Sequence, residues 1–286
     1  MNWYIYIFLS KIFDSTTTLI GKSIFNSHKI SPISLWMLNC YIAGFFTLLF
    51  GLTQPTFGLI PGHSIPWLSI FIMMILYGFG SVFFYIAIEM IDASKMAIIS
   101  ASSTVFAILS CVIFLNESLN TLQYIGGTII LLGIIVTTIS KSKIKFGKGE
   151  IYALIGSALF GLQTANDKIL LRDFGSNYYL FIAFLLPPLL ISVFYFKHAR
   201  GIPTTLKTIG LPLMLVYGFA FAIQAILFYI GLNLTNSVSL LVILNLSGRV
   251  LTVILSILIL KETRFLWQKI IGTGIVIVGL LVLALK

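Results

Sequence analysis

Apolar residues run in long unbroken blocks along the chain, and polar residues gather in the short gaps between them. Ten blocks approach or reach the length of a membrane-crossing helix, about 20 residues at 1.5 Å each. They are residues 3–21, 33–52, 67–88, 95–115, 122–140, 150–170, 178–196, 211–232, 237–260 and 266–285. The gaps carry turn chemistry: Ser31-Pro32, Pro61-Gly62, Asn116-Glu117, Gly147-Lys148-Gly149, Gly201-Ile202-Pro203 and Asn233 to Asn236. Apolar positions are continuous rather than alternating, which excludes a transmembrane β-barrel. The pattern predicts an all-α membrane protein with ten transmembrane helices.

Composition removes the soluble alternative. Of 286 residues, 59% are hydrophobic and 9% charged, against about 45–50% and about 25% in ordinary globular domains. No gap exceeds about fifteen residues, which leaves no room for a separate soluble catalytic domain. Cys40 and Cys111 fall inside apolar blocks and read as packing residues. The first block lacks a basic n-region and a small-residue cleavage site, so no cleavable signal is expected.

The net charge of +10 would suggest nucleic acid in a soluble domain, but here it orients a multi-pass protein. Thirteen of the eighteen basic residues follow odd-numbered blocks, among them Lys22, Lys95, Lys141, Lys143, Lys145, Lys148, Arg200 and Lys269; only Lys168, Arg172 and Lys286 lie on the other side. The positive-inside rule then puts the 141–149 linker in the cytoplasm and both termini outside. The expected partners are the lipid bilayer of a bacterial inner (plasma) membrane and a small-molecule substrate, with no nucleic acid and no cofactor.

The halves repeat. Phe84-Tyr85-Ile86-Ala87 returns as Phe228-Tyr229-Ile230-Gly231, and Tyr77-Gly78-Phe79 as Tyr217-Gly218-Phe219. Asn116-Glu117 closes the fourth block as Lys261-Glu262 closes the ninth, each glutamate followed ten residues later by a glycine, Gly127 or Gly272. Five spans per unit is an odd number, so the second unit (146–286) runs inverted relative to the first (1–145). Such inverted repeats build many secondary transporters, with the substrate between the halves.

These residues carry a resemblance over essentially the whole chain. Phe114-Leu115-Asn116-Glu117 with Gly126-Gly127 and Gly133, and Ile259-Leu260-Lys261-Glu262 with Gly272, Gly274 and Gly279, resemble the drug/metabolite transporter superfamily, in its EamA-type ten-helix members. Lys22 and Lys168, ending each unit's first span, fit as well, whereas Asn39 stands where a basic residue is common early in the second span. The resemblance implies a cavity lined by spans one, three, four, six, eight and nine.

Small residues at four-residue spacing mark close helix contacts in lipid: Ala153, Ser157, Gly161 and Ala165 in the sixth span, and Ala93, Ala97 and Ala101 in the fourth. The tenth span's glycines, with the fifth span, offer a homodimer surface. Pro187-Pro188 is expected to kink the seventh span.

Charges at mid-span oppose insertion by roughly 2.5–3.5 kcal/mol each, so Lys11, Asp14 and Arg249 need a reason. Lys11 and Asp14 share a helix face and can neutralise each other. Arg249 has no acidic neighbour on its own helix; it either reaches Asp14 across the bundle or offers its fork to an anionic group. Arg249, Asn245, Gln224, Gln163, Asn166, Tyr85, Tyr229 and Ser103 are the candidate substrate-binding residues, and Asp14 with Lys11 the candidate coupling pair. Glu89, Asp92, Asp167 and Asp173 read as interfacial, and Glu117 and Glu262 as helix caps. His28, His63 and His198 lie in gaps far apart, and no metal spacing, phosphate loop or Walker motif is present. The expected function is secondary transport of a small polar metabolite, an amino acid or related carboxylate, by alternating access, proton-coupled or exchanging. The competing readings are a membrane enzyme acting on a lipid-borne group and a non-transporting receptor or assembly factor.

Overall fold

A computed structural model describes residues 3–54, 57, 58, 60, 62–115, 121–140, 143, 144, 147–234, 238–263 and 265–284; for 115, 123, 134, 137–140, 143, 144, 238–247, 280, 283 and 284 the backbone alone is described. The chain is all-α, with ten membrane spans in two inverted five-helix repeats. The first repeat holds α1 (Trp3–Ser27), α2 (Pro32–Leu52), α3 (Trp67–Met90), α4 (Ala93–Ser100) with α5 (Ser102–Leu115), and α6 (Thr121–Thr138). The second holds α7 (Lys148–Asp173), α8 (Ser176–Phe194), α11 (Leu211–Leu234), α12 (Val238–Ile259) and α13 (Leu266–Ala284). Between α8 and α11 lie two short helices, α9 (Phe196–Arg200) and α10 (Ile202–Ile209). β1 (Ile139–Ser140) pairs antiparallel with β2 (Lys143–Ile144) in the linker between repeats.

Local chemistry explains the boundaries. Ser31 caps α2, its hydroxyl accepting from the Ser34 amide at 3.3 Å, and Pro32 occupies the first turn, where an amide would be unpaired anyway. The fourth span is one predicted block but two helices. It breaks at Ala101, where Ser100 and Ser102 turn their hydroxyls back onto the carbonyls of Ala97 and Ile99 and compete with the helix ladder. Gly201-Ile202-Pro203 is not simply a turn: Pro203 opens α10, whose Thr205 is buried. α8 runs through Pro187 and Pro188 without interruption, and Ser192 donates to the Pro188 carbonyl at 2.7 Å.

The packing carries the repeat. α1 lies along α11 and α12 as α7 lies along α3 and α5. α2 meets α11 as α8 meets α3, while α2 with α8 and α6 with α13 pair each element with its own counterpart. A Cβ on Gly78 would press on Ile191 of α8, and one on Gly218 on Ile42 of α2, so the two Tyr-Gly-Phe stretches occupy matching places. The glycines of the fifth and tenth spans are used within one chain: a Cβ on Gly133 would come within 2.9 Å of the Gly272 carbonyl, and one on Gly279 within 2.9 Å of that of Gly126. Gly274 faces open space. The outer surface is apolar, with Trp67 and Trp267 exposed at the first residues of α3 and near the start of α13, the amphipathic ring type that marks membrane interfaces.

At one end of the bundle, polar side chains tie the halves together. Glu262, between α12 and α13, accepts from the amides of Ala93 and Ser94 at 2.8 and 2.9 Å and from the Ser94 hydroxyl at 2.6 Å. It caps α4 of the other repeat rather than a helix of its own. Lys269 pairs with Asp92 at 2.8 Å, Lys95 with Glu150, and Lys22 donates to the carbonyls of Ile88 and Glu89 at the end of α3. Glu117, the counterpart of Glu262, lies outside the described residues.

Candidate functional site

Between the halves lies a cavity of about 320 Å³. Its wall draws on the spans that the resemblance implies, with α2 (Trp36, Cys40) and α8 (Leu180, Ala183, Phe184, Pro187) added. Two polar walls stand out on it.

The first belongs to α1 and α12. Lys11 Nζ lies 3.4 Å from Asp14 Oδ2, and Arg249 Nη1 lies 3.9 Å from the same oxygen. Residues three apart on a helix share a face, which brings Lys11 to Asp14; α12 brings Arg249 across from the other repeat. Gly248 makes the approach possible, since a Cβ there would stand 2.8 Å from Lys11 Cδ. Ser15 donates to the Gly248 carbonyl at 3.0 Å and receives from Thr252 at 3.0 Å, which holds the two helices in register. Lys11 Nζ also sits 5.3 Å from the Phe228 ring centroid, within cation–π range. Two cations and one carboxylate leave this wall one positive charge in excess. Gln224 lines the cavity nearby, and its Oε1 is buried without a hydrogen-bond partner.

The second wall corrects the sequence reading of Asp167. It is not interfacial: α7 runs on to Asp173, so Asp167 is more than a turn inside the helix, buried, and on the cavity wall. Its carboxylate accepts four hydrogen bonds. Tyr77 (2.8 Å) and Tyr229 (3.1 Å) donate to Oδ2; Gln163 (2.7 Å) and Tyr179 donate to Oδ1. The hydroxyls of Tyr77 and Tyr229 are 3.1 Å apart.

The candidate residues therefore separate into groups. Lys11, Asp14 and Arg249 come together, with Gln224 also on the cavity wall; Tyr229 joins the Asp167 group, and Ser103 lines the cavity on α5. Gln163 and Asn166 are not among the lining residues. They stand behind Asp167, Asn166 donating to the Gln163 side chain at 3.3 Å and to the Ser69 carbonyl at 2.9 Å. Tyr85 lines the cavity but spends its hydroxyl on Tyr217 (2.9 Å) and Asn39 (3.1 Å). The side chain of Asn245 lies outside the described residues. Sequence reasoning missed Asp167 as a cavity residue, Tyr77 and Tyr179 as its companions, and Tyr217 as the partner of Tyr85. The available signal was the Gln163, Asn166, Asp167 spacing, which puts three polar groups on one helical face.

The geometry agrees with what the chain resembles. A protein crystal structure covers 98% of this chain and 95% of its own at 14% sequence identity and a TM-score of 0.56, a likeness of fold alone. No curated protein sequence matches significantly. The EamA-like transporter family matches twice, over residues 1–139 and again over 147–285. With a match to each half of a ten-span bundle around a polar cavity, this chain belongs to the EamA-like transporter family and is a multi-pass membrane transporter.

Proposed function

We propose that the protein is a secondary transporter for a small metabolite bearing an anionic group, an amino acid or related carboxylate, in a bacterial plasma membrane. The observation that carries this reading is the excess positive charge of Lys11, Asp14 and Arg249 on the wall of a cavity between the halves. Arg249 presents a planar fork suited to a carboxylate or phosphate, and the free Oε1 of Gln224 accepts a donor such as an ammonium or hydroxyl. Phe84, Phe160 and Phe228 supply apolar wall between the polar groups. Transport proceeds by alternating access, the units 1–145 and 146–286 rocking about the cavity; the pairing of α2 with α8 and of α6 with α13 across the halves supports this motion.

The test is a binding screen on purified protein by thermal shift, with the standard amino acids, succinate and inorganic phosphate as probes, followed by uptake of each hit into proteoliposomes. The expected result is stabilisation by a carboxylate-bearing probe that is lost or weakened in Arg249→Lys, because an ammonium cannot reproduce the bidentate fork. Equal affinity in a stably folded Arg249→Ala protein would overturn the anionic reading.

A further inference from the structure

We propose that Asp167 is the proton-carrying carboxylate of the transport cycle, and that Tyr77 and Tyr229 turn its protonation into a change in what the cavity offers a substrate. The inference rests on the reading of the chain as a secondary transporter.

The first support is how the charge is held. Asp167 is buried on the cavity wall, and its four donors, Tyr77, Tyr179, Tyr229 and Gln163, are all neutral groups. A carboxylate offers about four acceptor positions, so this set is filled by hydrogen bonds to neutral partners. Asp14 is different. Lys11 and Arg249 flank it, and neutralising it would leave two positive charges facing each other in the wall, a costly state in a low-dielectric site. Neutralising Asp167 sets no such pair against each other.

The second support is a hydrogen-bond triangle with two arrangements. Tyr77 Oη and Tyr229 Oη lie 2.8 and 3.1 Å from Asp167 Oδ2 and 3.1 Å from each other. With the carboxylate ionised, both hydroxyls donate to Oδ2. With Oδ2 protonated, the chain reverses: Oδ2–H donates to Tyr77, Tyr77 donates to Tyr229, and the Tyr229 proton turns into the cavity that Tyr229 lines. One proton is taken from water on one side at Oδ2 and returned to water on the other. No other bond is made or broken. A hydroxyl donor newly aimed into the cavity favours an acceptor oxygen, so the proton and an anionic substrate bind together.

The third support is the repeat, which supplies an internal control. Tyr85 and Tyr217 form the counterpart tyrosine pair, 2.9 Å apart, beside Gly21. The match of Lys22 to Lys168 sets Gly21 against Asp167. The architecture thus forms a tyrosine pair at both symmetry-related places between the halves and a carboxylate at only one, so the carboxylate is not a packing requirement of the fold.

Other titratable groups lie on α7 or on the helices packed against it. Lys95 of α4 pairs with Glu150, and His63, ahead of α3, bonds Asp173 at 2.8 Å, both more than a turn from Asp167. Cys111 lies buried on α5, Tyr152 stacks on Phe83 of α3, and Lys168, next to Asp167 in sequence, also lines the cavity but is not among the four donors to its carboxylate.

The experiment needs no substrate, so its failure is separable from that of the anionic reading. Purified protein in detergent is titrated with acid and followed by infrared difference spectroscopy in the protonated-carboxyl region. The expected result is a carboxyl band that appears on acidification, is lost in Asp167→Asn, and is kept in Asp14→Asn. Tyr77→Phe and Tyr229→Phe should each move its frequency or midpoint, which keeps the proposal testable even where Asp167→Asn fails to fold. A band that survives in Asp167→Asn, that is lost only in Asp14→Asn, or that is unmoved in both tyrosine variants would overturn the proposal.

Discussion

The hydroxyl of Tyr217 lies 2.9 Å from the point where a Cβ on Gly21 would stand. At the symmetry-related place between the halves, the counterpart positions are Tyr77 and Asp167, hydrogen-bonded at 2.8 Å. One of these places uses the space for a hydroxyl against bare backbone, the other for a hydroxyl on a carboxylate. The repeat is thus symmetric in its backbone packing and asymmetric in its chemistry, and the asymmetry faces the cavity.

That contact yields a direct prediction. Gly21→Ala forces Tyr217 off its bond to Tyr85, and overpacking of this kind costs roughly 1–3 kcal/mol. Tyr217→Phe removes the clashing oxygen, so the double variant should melt higher than the sum of the single losses allows. Gly274→Ala, with nothing within 4 Å of its Cβ, should melt like the wild type. Additive losses in the double variant would show that the hydroxyl is not what Gly21 accommodates.

The cap on α4 makes a second prediction. Ala93 and Ser94 are buried at the helix start and depend on Glu262 for their amides. Glu262→Ala leaves both donors unpaired, at roughly 1–3 kcal/mol each, and removes a negative charge from a helix N-terminus. Glu262→Gln retains an acceptor oxygen and should lose less. Melting temperatures in detergent should fall in the order wild type, Gln, Ala; an Ala variant as stable as Gln would mean that water replaces the cap at no cost.

The same features explain what the sequence could and could not reveal. Spans were legible because each apolar block must satisfy its own backbone hydrogen bonds in lipid, and the repeat because Phe-Tyr-Ile and Tyr-Gly-Phe recur in order. Asp167 was misplaced because Lys168, Arg172 and Asp173 looked like the end of a span, whereas the helix carries them to Asp173. Breaks such as Ala101 depend on serines choosing their own backbone, which composition does not signal. Cross-repeat pairs such as Tyr85 with Tyr217 or Glu262 with Ser94 join residues more than a hundred positions apart. No local pattern encodes them.

Orientation supplies the third prediction. Lys22, Lys95 and Lys269 gather at the end of the bundle where α7 begins, matching the side with the basic excess. The positive-inside rule puts this end in the cytoplasm. A reporter active only in the cytoplasm should therefore work when inserted at Gly147 and stay silent when fused after Lys286. The reverse pattern would turn the cavity's two faces around.

The last prediction concerns the charged wall. Asp14 serves two cations, Lys11 at 3.4 Å and Arg249 at 3.9 Å, and Lys11 is the more deeply buried of the two, its side chain 6% exposed against 20%. Removing the shared carboxylate strands both, and breaking a buried pair in this way costs roughly 3–5 kcal/mol. Arg249→Ala instead leaves Lys11 and Asp14 balanced and should be the milder change. The rescue order follows from burial: Asp14→Ala should recover more stability when combined with Lys11→Met than with Arg249→Ala, because Lys11 has less access to water. Melting temperatures of the three single and two double variants decide it. If Arg249→Ala proved as damaging as Asp14→Ala, or rescued it better than Lys11→Met does, Arg249 would be the structural partner of Asp14, and its fork would not be available to a substrate.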